Sequence, residues 1–277
     1  KAASVGLASY DLPEEYGGGG VTSMLTIARI EEELAWGDNS LKGTFRSGSF
    51  FAGPLLVLGS EEQKRRWIPS LCTDDPKLGA TAATEPEVGS DASAMRTTAR
   101  RVDGGYVLNG QKIWISNAPQ ADLYSVFATV APGTRSKGIT AFVLEKGDAG
   151  FDQGKPLPKM GGKVLPAAEI FFHDCFVPED RRLGDEGSGF KGLMRAFDKS
   201  RLQVAAGSLG IARASVEYAI EYAKLLLAVG SEIDVLSKII CEKLDVAANA
   251  HPAPRNAGRR PGPGGRRWRA LGSRQCS

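Results

Sequence analysis

Two short stretches carry residue types suited to holding a flat, phosphate-bearing ligand. Residues 84–91 read Thr-Glu-Pro-Glu-Val-Gly-Ser-Asp, and residues 112–117 read Lys-Ile-Trp-Ile-Ser-Asn. The first follows a run of small residues, Gly79-Ala80-Thr81-Ala82-Ala83, along which a backbone can approach a planar ligand without intervening side chains. Thr84 offers a hydroxyl, and Gly89-Ser90 offers backbone N–H groups with a second hydroxyl. Successive N–H groups around a glycine form an anion-binding concavity suited to a phosphate or pyrophosphate. The second stretch supplies an aromatic face at Trp114 and another hydroxyl at Ser116. Residues two apart in a strand share a face, so indole and hydroxyl can meet one ring system from one side. Singly, each feature has a commonplace reading: Gly-Ser-Asp is a frequent turn, and a strand tryptophan is usually core.

The totals bound what such a site can belong to. A chain of 277 residues can bury a substantial core in one large domain or two. Its 42% hydrophobic and 24% charged content is that of an ordinary soluble globular protein. No apolar run approaches a membrane span. The start, Lys-Ala-Ala-Ser-Val-Gly-Leu, has no signal-peptide pattern and no initiating Met, and reads as an excerpt. Cys72, Cys175, Cys241 and Cys276 form no C-x-x-C pair, and His173 and His251 are the two histidines. A zinc site, a disulfide framework and a histidine-based triad are therefore not expected, and a reducing compartment fits best. The seven arginines of residues 250–277, set against a total of +3, leave the remainder at −4. This charge asymmetry needs its own explanation.

The elements that must position the two stretches follow from periodicity. Residues 1–75 read as helical around a glycine loop at 17–20. Thr22 or Ser23 caps a helix through Trp36, with Met24, Leu25, Ile27, Ile30 and Leu34 at helical spacing. A second helix is expected over 41–58, and Ser60-x-x-Gln63 is a capping box opening a third through about Leu71. From Leu78 the pattern is that of strands: 96–102, 105–108 and 112–116, joined by tight turns at Asp103-Gly104 and Asn109-Gly110, then 123–130, 138–144, 169–172 and another near Phe176. Many short strands without intervening helices predict a small antiparallel barrel or sandwich. Gly187-x-Gly189 releases a long helix over 190–227, with Leu193, Phe197, Val204, Leu209, Ile211 and Ile220 as its apolar face. Its Ala205, Ala206, Gly207, Gly210 and Ala212 point to close packing on another backbone. After a break at Val229-Gly230 a further helix is expected over 233–248, and residues 250–277 are expected to be disordered. The domains are thus 1–77 (helical), 78–185 (β), 186–249 (helical, partial) and a tail of 250–277, an α+β fold.

The order Thr-Glu-Pro-x-x-Gly-Ser-Asp, then Asn-Gly-x-Lys-x-Trp-Ile-Ser-Asn, closely resembles the signature of the acyl-CoA dehydrogenases, which are FAD-dependent flavoproteins. Further matches are Pro13-Glu14-Glu15-Tyr16-Gly17-Gly18, Glu31-Glu32-Glu33-Leu34-Ala35, Gly59-Ser60-Glu61-Glu62-Gln63-Lys64 and Phe197-Asp198-Lys199-Ser200-Arg201, so the resemblance runs to about Ala223. It implies that family's fold: an N-terminal helical domain without its first helix, a central antiparallel β domain and an incomplete C-terminal bundle. Flavin and acyl thioester would meet between the β domain and the helices. Carried over by motif, Ala83, Thr84, Gly89 and Ser90 line the flavin and its pyrophosphate, Trp114 lies against the isoalloxazine, and Ser116 bonds near its reactive edge. Ser90 also approaches the acyl-CoA, and Asp198 and Arg201 lie on the substrate side. From the residues alone, Asp198 and Arg201 are more simply a solvated i,i+3 ion pair. The implied partners are a fatty or branched acyl-CoA, an electron-transfer flavoprotein as acceptor, and further copies in a dimer or tetramer. The implied compartment is the bacterial cytoplasm or the mitochondrial matrix.

The resemblance fails where the reaction needs a base. In α,β-dehydrogenation a carboxylate removes the α-proton while the β-hydrogen leaves as hydride, and hydrogen bonds to the thioester carbonyl stabilise the developing enolate. Most family members carry the catalytic Glu in a segment without counterpart here. A subset places it on the long helix, where this chain has Ser200. Residues 224–230 replace an expected Arg-x-x-Phe-Gly after Tyr222, and with it partner-subunit contacts to the flavin's adenine end. Residues 163–167, Lys-Val-Leu-Pro-Ala, depart from a Ser-containing turn on the substrate side. An impaired acyl-CoA dehydrogenase is therefore expected. The rivals are an acyl-CoA oxidase or flavin monooxygenase of the same fold, and a non-catalytic module that binds an acyl-CoA or a partner protein. For the arginine tail, a nucleic-acid-binding arm competes with a non-native or frame-shifted terminus, and arginine without lysine amid Pro and Gly favours the second.

Overall fold

The Ser23 hydroxyl accepts the Thr26 N–H (3.4 Å) and starts α1, Met24–Phe45, in a computed structural model that describes residues 1–228. α1 is two helical segments joined at Asp38, whose extended backbone (φ −162°, ψ 109°) interrupts the ladder. The Asp38 carboxylate then caps the second segment by accepting the Ser40 and Leu41 N–H groups (2.8 and 2.9 Å). The helix predicted to end near Trp36 therefore ends in a kink. α2 is Ser47–Leu58. The single helix expected over 41–58 is split at Arg46 (φ −92°, ψ 8°), where the turn lets a buried guanidinium reach both Asp11 and Glu31. α3, Glu61–Trp67, opens on the predicted capping box: Ser60 Oγ accepts the Gln63 N–H and Gln63 Oε1 accepts the Ser60 N–H. A 3-10 turn, Ile68–Leu71, begins with Pro69 near its start.

The strands are β1 Gly79–Ala82, β2 Thr98–Val102, β3 Gly105–Ser116, β4 Leu123–Thr129, β5 Ile139–Glu145, β6 Phe151–Gln153, β7 Ala167–Pro178 and β8 Arg182–Leu183. They form one sheet in the order β6-β7-β3-β2-β4-β5-β8, with β1 also on β4. The expected all-antiparallel arrangement is corrected at two places, since β1 and β2 both pair parallel with β4. The sheet curls strongly enough for Tyr106 of β3 to meet Phe142 of β5 (centroids 5.0 Å) and for Tyr124 of β4 to meet Phe151 of β6 (4.8 Å), both edge to face. These rings form an inner core with Leu108, Phe172 and Cys175. A second core lies between the sheet and the helices, built from Phe51, Leu55, Trp67, Ile68, Phe127 and Leu193.

Of the two expected tight turns, one forms. Asp103-Gly104 is a hairpin turn, with Gly104 at φ 79°. Asn109-Gly110 is not: β3 runs through it as a bulge, because β7 pairs with both halves and holds them in one strand. Gly110 sits at φ 144°, and a Cβ there would lie 2.8 Å from Thr97 Cα. Across the bulge, Asn109 and Asp174 exchange two hydrogen bonds of 2.9 Å. Within the small run, Gly79, Ala80 and Ala82 serve protein packing: a Cβ on Gly79 would lie 2.5 Å from Phe51 Cβ of α2, and Ala80 and Ala82 are buried.

α4 spans Gly189–Ala228. Lys1–Tyr218 form one compact unit. In the unit beginning at Ala219, Lys224 donates to Glu221 (2.9 Å) within the helix. Gly207 and Gly210 are buried against α1 as their size predicts, whereas Ala205 and Ala212 are exposed. Of the expected apolar face, Leu193 is buried and Phe197 half-buried, while Val204, Leu209, Ile211 and Ile220 are exposed. The helix expected over 233–248 and the tail lie outside the described residues. Because Gly110 combines a φ that L side chains avoid with a backbone neighbour, Gly110→Ala should lower stability by about 1–3 kcal/mol in urea unfolding. Gly104→Ala, at an open turn, serves as the reference for backbone strain alone.

Candidate functional site

The two predicted stretches are neighbours in space. The Ile113 N–H donates to Thr84 O (3.0 Å), and Lys112 reaches from β3 to the strand end that carries Ala83 and Thr84. Its ammonium donates to Glu85 Oε1 (2.8 Å) and Ala83 O (3.2 Å) and lies 3.7 Å from Met95 Sδ. Lys112 is 0% exposed. Glu85 is equally enclosed and accepts the Arg96 and Thr97 N–H groups (2.7 and 2.9 Å). Every oxygen of that carboxylate is thus engaged, which a buried charge requires. Burial works to raise the Glu85 pKa, but Lys112 and the N–H donors outweigh it and hold the carboxyl below its ordinary value. Burial pulls the Lys112 ammonium down to about 8 against the attraction of Glu85, so both groups are charged at neutral pH.

From this pair the chain makes a closed turn. Glu85 and Val88 exchange backbone hydrogen bonds (3.0 and 3.1 Å), after which Gly89 and Ser90 are exposed. Asp91 fixes the far side, accepting two bonds from Arg135 Nη2 (2.6 and 2.9 Å) and one from Ser93 Oγ (2.6 Å). Ser93 and Arg135 keep its carboxyl below the usual range. A Cβ on Gly89 would meet nothing within 4 Å, and its φ is not positive. Nothing among the described residues therefore calls for glycine at this position.

Trp114 lies in a second bulge of β3. Lys112 pairs with Ile170 and Ile115 with Ala168, so Ile113 and Trp114 together face Glu169. Trp114 adopts φ 60°, an outlier for so bulky a residue, and its side chain remains 55% exposed. Ile115 is buried in the core, whereas Trp114 is exposed and Ser116 half-buried. Ala83 and Thr84 are half-buried beside them. The open depression of about 250 Å³ nearby, lined by Glu85, Val88, Thr97 and Gly110 among others, contains none of the six predicted residues 83, 84, 89, 90, 114 and 116.

The long-helix residues stand differently. Asp198 and Arg201 pair with each other at 2.6 Å and are largely exposed, the simpler arrangement for that spacing. Ser200 is half-buried and donates to Phe197 O (3.2 Å). The segment over 163–167 docks on α1: Thr44 Oγ1 donates to Val164 O (3.0 Å), and Leu165 packs over Gly43, where a Cβ would come within 2.6 Å of it. Sequence reasoning passed over Glu85 and Lys112, although both stand in the quoted motifs. Their signal was a lysine at an inward position of a strand.

Comparison with known proteins places these elements. The model of the acyl-CoA dehydrogenase N-terminal domain matches residues 1–75, and that of the middle domain matches residues 80–175. An acyl-CoA dehydrogenase of Bacillus subtilis is 40% identical over 255 residues, covering 91% of this chain and 66% of that protein. The structure of butyryl-CoA dehydrogenase from Megasphaera elsdenii superposes with a TM-score of 0.78 at 38% identity, over 90% of this chain and 67% of the other. A FAD complex of PigA superposes with a TM-score of 0.77 at 34% identity, over 89% of this chain and 66% of the other. The chain thus spans about 60–66% of the length of the first curated relatives it matches.

The Glu85–Lys112 pair has a readable pH signature. With its folded pKa below the unfolded 4.5, the native state binds fewer protons than the unfolded chain between those values. The Glu85 contribution is present from about pH 5 up to about pH 8, where Lys112 loses its proton, and is lost as the pH falls through the folded Glu85 value. Glu85→Gln should cost about 3–5 kcal/mol at pH 7, because it leaves a buried ammonium without its counter-charge. Thermal midpoints of the variant should fall less on acidification than those of the wild type, the two curves converging toward low pH. Parallel curves would assign the acid limb to other carboxylates.

Proposed function

Because the chain belongs to the acyl-CoA dehydrogenase family, we propose that Ala83, Thr84, Gly89, Ser90, Trp114 and Ser116 hold FAD for α,β-dehydrogenation of a short acyl-CoA thioester. The observation that carries this is Trp114. A strained backbone costs about 1–3 kcal/mol and persists where the surroundings enforce it, chiefly at ligand sites. Here the strain holds an indole outward, where it contributes little to the core of this chain. A flat ring system laid on that indole would account for both.

The residues present fit a flavin. Gly89 and Ser90 present backbone N–H groups on an exposed turn with free space at the glycine, as an approaching pyrophosphate needs. Thr84 lies on backbone hydrogen-bonded to Ile113, the neighbour of Trp114, and Ser116 follows two residues on, so both bring hydroxyls to the same region. Bound there, FAD would supply the two-electron acceptor of the dehydrogenation, with an electron-transfer flavoprotein as the proposed onward acceptor. The chain's own part is to orient and to bind. Glu85 and Lys112 fix the turn, Ser90 approaches the acyl-CoA, and Asp198 and Arg201 lie on its side of α4. Position 200 carries a hydroxyl, which has no basicity for an α-proton, so these 277 residues by themselves are proposed to bind the thioester without efficient turnover.

The test is visible absorption of the purified chain titrated with FAD, followed by butyryl-CoA. Flavin absorbance should be retained after desalting, and butyryl-CoA should perturb it without full bleaching. Gly89→Val should keep the thermal midpoint, since its side chain enters open space, while weakening FAD at least tenfold, about 1.4 kcal/mol. A colourless folded protein, or a Gly89→Val variant that binds FAD normally, would contradict the site. Complete bleaching at an enzymatic rate would contradict the impaired turnover.

A further inference from the structure

The contact between α1 and α4 includes a close approach of backbone at Gly210. A Cβ on Gly210 would lie 2.2 Å from Glu32 O and 2.9 Å from Trp36 N, and one on Gly207 would lie 2.9 Å from Lys42 Nζ and 3.2 Å from Asn39 Oδ1. Glycines let two helices approach closely but offer no side-chain knobs of their own to lock one against the other. A slip by one residue moves a helix about 1.5 Å along its axis and about 100° around it. On α4 that rotation would redirect Ser200 and Arg201 completely. Something beside the glycine contact must set the register.

Asp11 is placed to do so. Its side chain is 3% exposed, yet it gathers donors from two helices. Arg46 donates through Nη1 (3.2 Å) and pairs through Nη2 (3.2 Å), and Ser49 Oγ of α2 adds a bond of 3.3 Å. From α4, Lys199 Nζ pairs with Oδ2 at 3.2 Å and Gln203 Nε2 donates to the same oxygen at 3.1 Å. Lys199 and Gln203 are four apart, so they stand one above the other on a single face, with Ser200 and Arg201 between them in sequence. The carboxylate is itself braced: Glu31 accepts from Tyr10 OH (2.8 Å), pairs with Arg46 Nε (3.0 Å) and Lys42 Nζ (2.8 Å), and the guanidinium lies 4.1 Å over the Tyr10 ring. Replacing so many buried charges by apolar side chains would often be neutral for stability, so their value is better sought in specifying one arrangement. Burial works to raise the Asp11 pKa, but Arg46 and Lys199 together hold it below the ordinary value, and the pin is ionised at neutral pH.

We propose that Asp11 is a positioning residue that sets the rotational register of α4, and through it the direction in which Ser200 and Arg201 meet the acyl-CoA. The inference rests on the acyl-CoA reading given above. Two bonds at the i and i+4 positions of one helix fix both its rotation and its axial position, which a single contact would not. The outer pin, Arg213 on Glu32 and Glu33 (2.6 to 2.8 Å), is more exposed and acts beyond the glycine contact.

The experiment uses the full chain loaded with FAD and follows the flavin spectrum during titration with butyryl-CoA. Asp11→Asn keeps the shape and removes the charge; Gln203→Ala removes one α4 bond at a half-buried position that tolerates it. Ser60→Ala loses the capping box of α3 and serves as the control for destabilisation alone. The expected result is a butyryl-CoA Kd raised about tenfold in Asp11→Asn and severalfold in Gln203→Ala, with FAD content unchanged, whereas Ser60→Ala lowers the thermal midpoint but keeps the wild-type Kd. If Asp11→Asn does not fold, Gln203→Ala and Lys199→Met carry the comparison. Wild-type Kd values in the α4 variants would overturn the proposal, as would an equal loss in Ser60→Ala. A flavin-loaded wild type that ignores butyryl-CoA would overturn the acyl-CoA reading itself and this inference with it.

Discussion

The site depends on one buried ion pair. Glu85 and Lys112 lie 27 positions apart in sequence, yet their 2.8 Å contact joins the segment that follows β1 to β3. Each is costly to bury alone, and the cost is offset only because the carboxylate also takes two backbone N–H groups and the ammonium a backbone carbonyl. That same set of bonds ties down Ala83, Thr84 and the start of the Gly89-Ser90 turn on one side, and the bulge carrying Trp114 on the other. Without the pair, the two halves of the proposed flavin cradle would be held by the Ile113–Thr84 backbone bond and the packing around Met95.

What was readable in the sequence follows from how local each signal is. The Ser60–Gln63 capping box, the Asp103-Gly104 turn and the long helix from Gly189 depend on residues a few positions apart, and each stands in the structure. Asn109-Gly110 carries the same local signal as a hairpin turn, but its outcome is decided by β7, some 60 residues away, which pairs with β3 on both sides of it. The break at Arg46 is likewise set from outside its helix, by carboxylates at Asp11 and Glu31. Parallel pairing of β1 and β2 with β4 has no local mark.

For the site the same division holds. The types proposed to face the flavin, a glycine, three hydroxyls and an indole, were legible because their order is a motif. The groups that hold them were not, since Glu85, Lys112 and Asp11 look like surface charges until the fold encloses them. Gly207 and Gly210 were legible as a close helix contact, whereas the pins that set its register, at Asp11 and Arg213, lie nearly 200 positions from their partners in sequence. Charges buried by long-range contacts thus position residues whose identity is written locally.

The most direct test of this account is the FAD affinity of Glu85→Gln, measured at pH 7 and at a temperature where circular dichroism shows the variant folded. Residue 85 touches no ligand in this account, and glutamine preserves its shape, so only the hold on the two stretches changes. The account predicts a Kd raised at least tenfold, about 1.4 kcal/mol. Wild-type FAD affinity in the folded variant would mean that the cradle is organised without the buried pair.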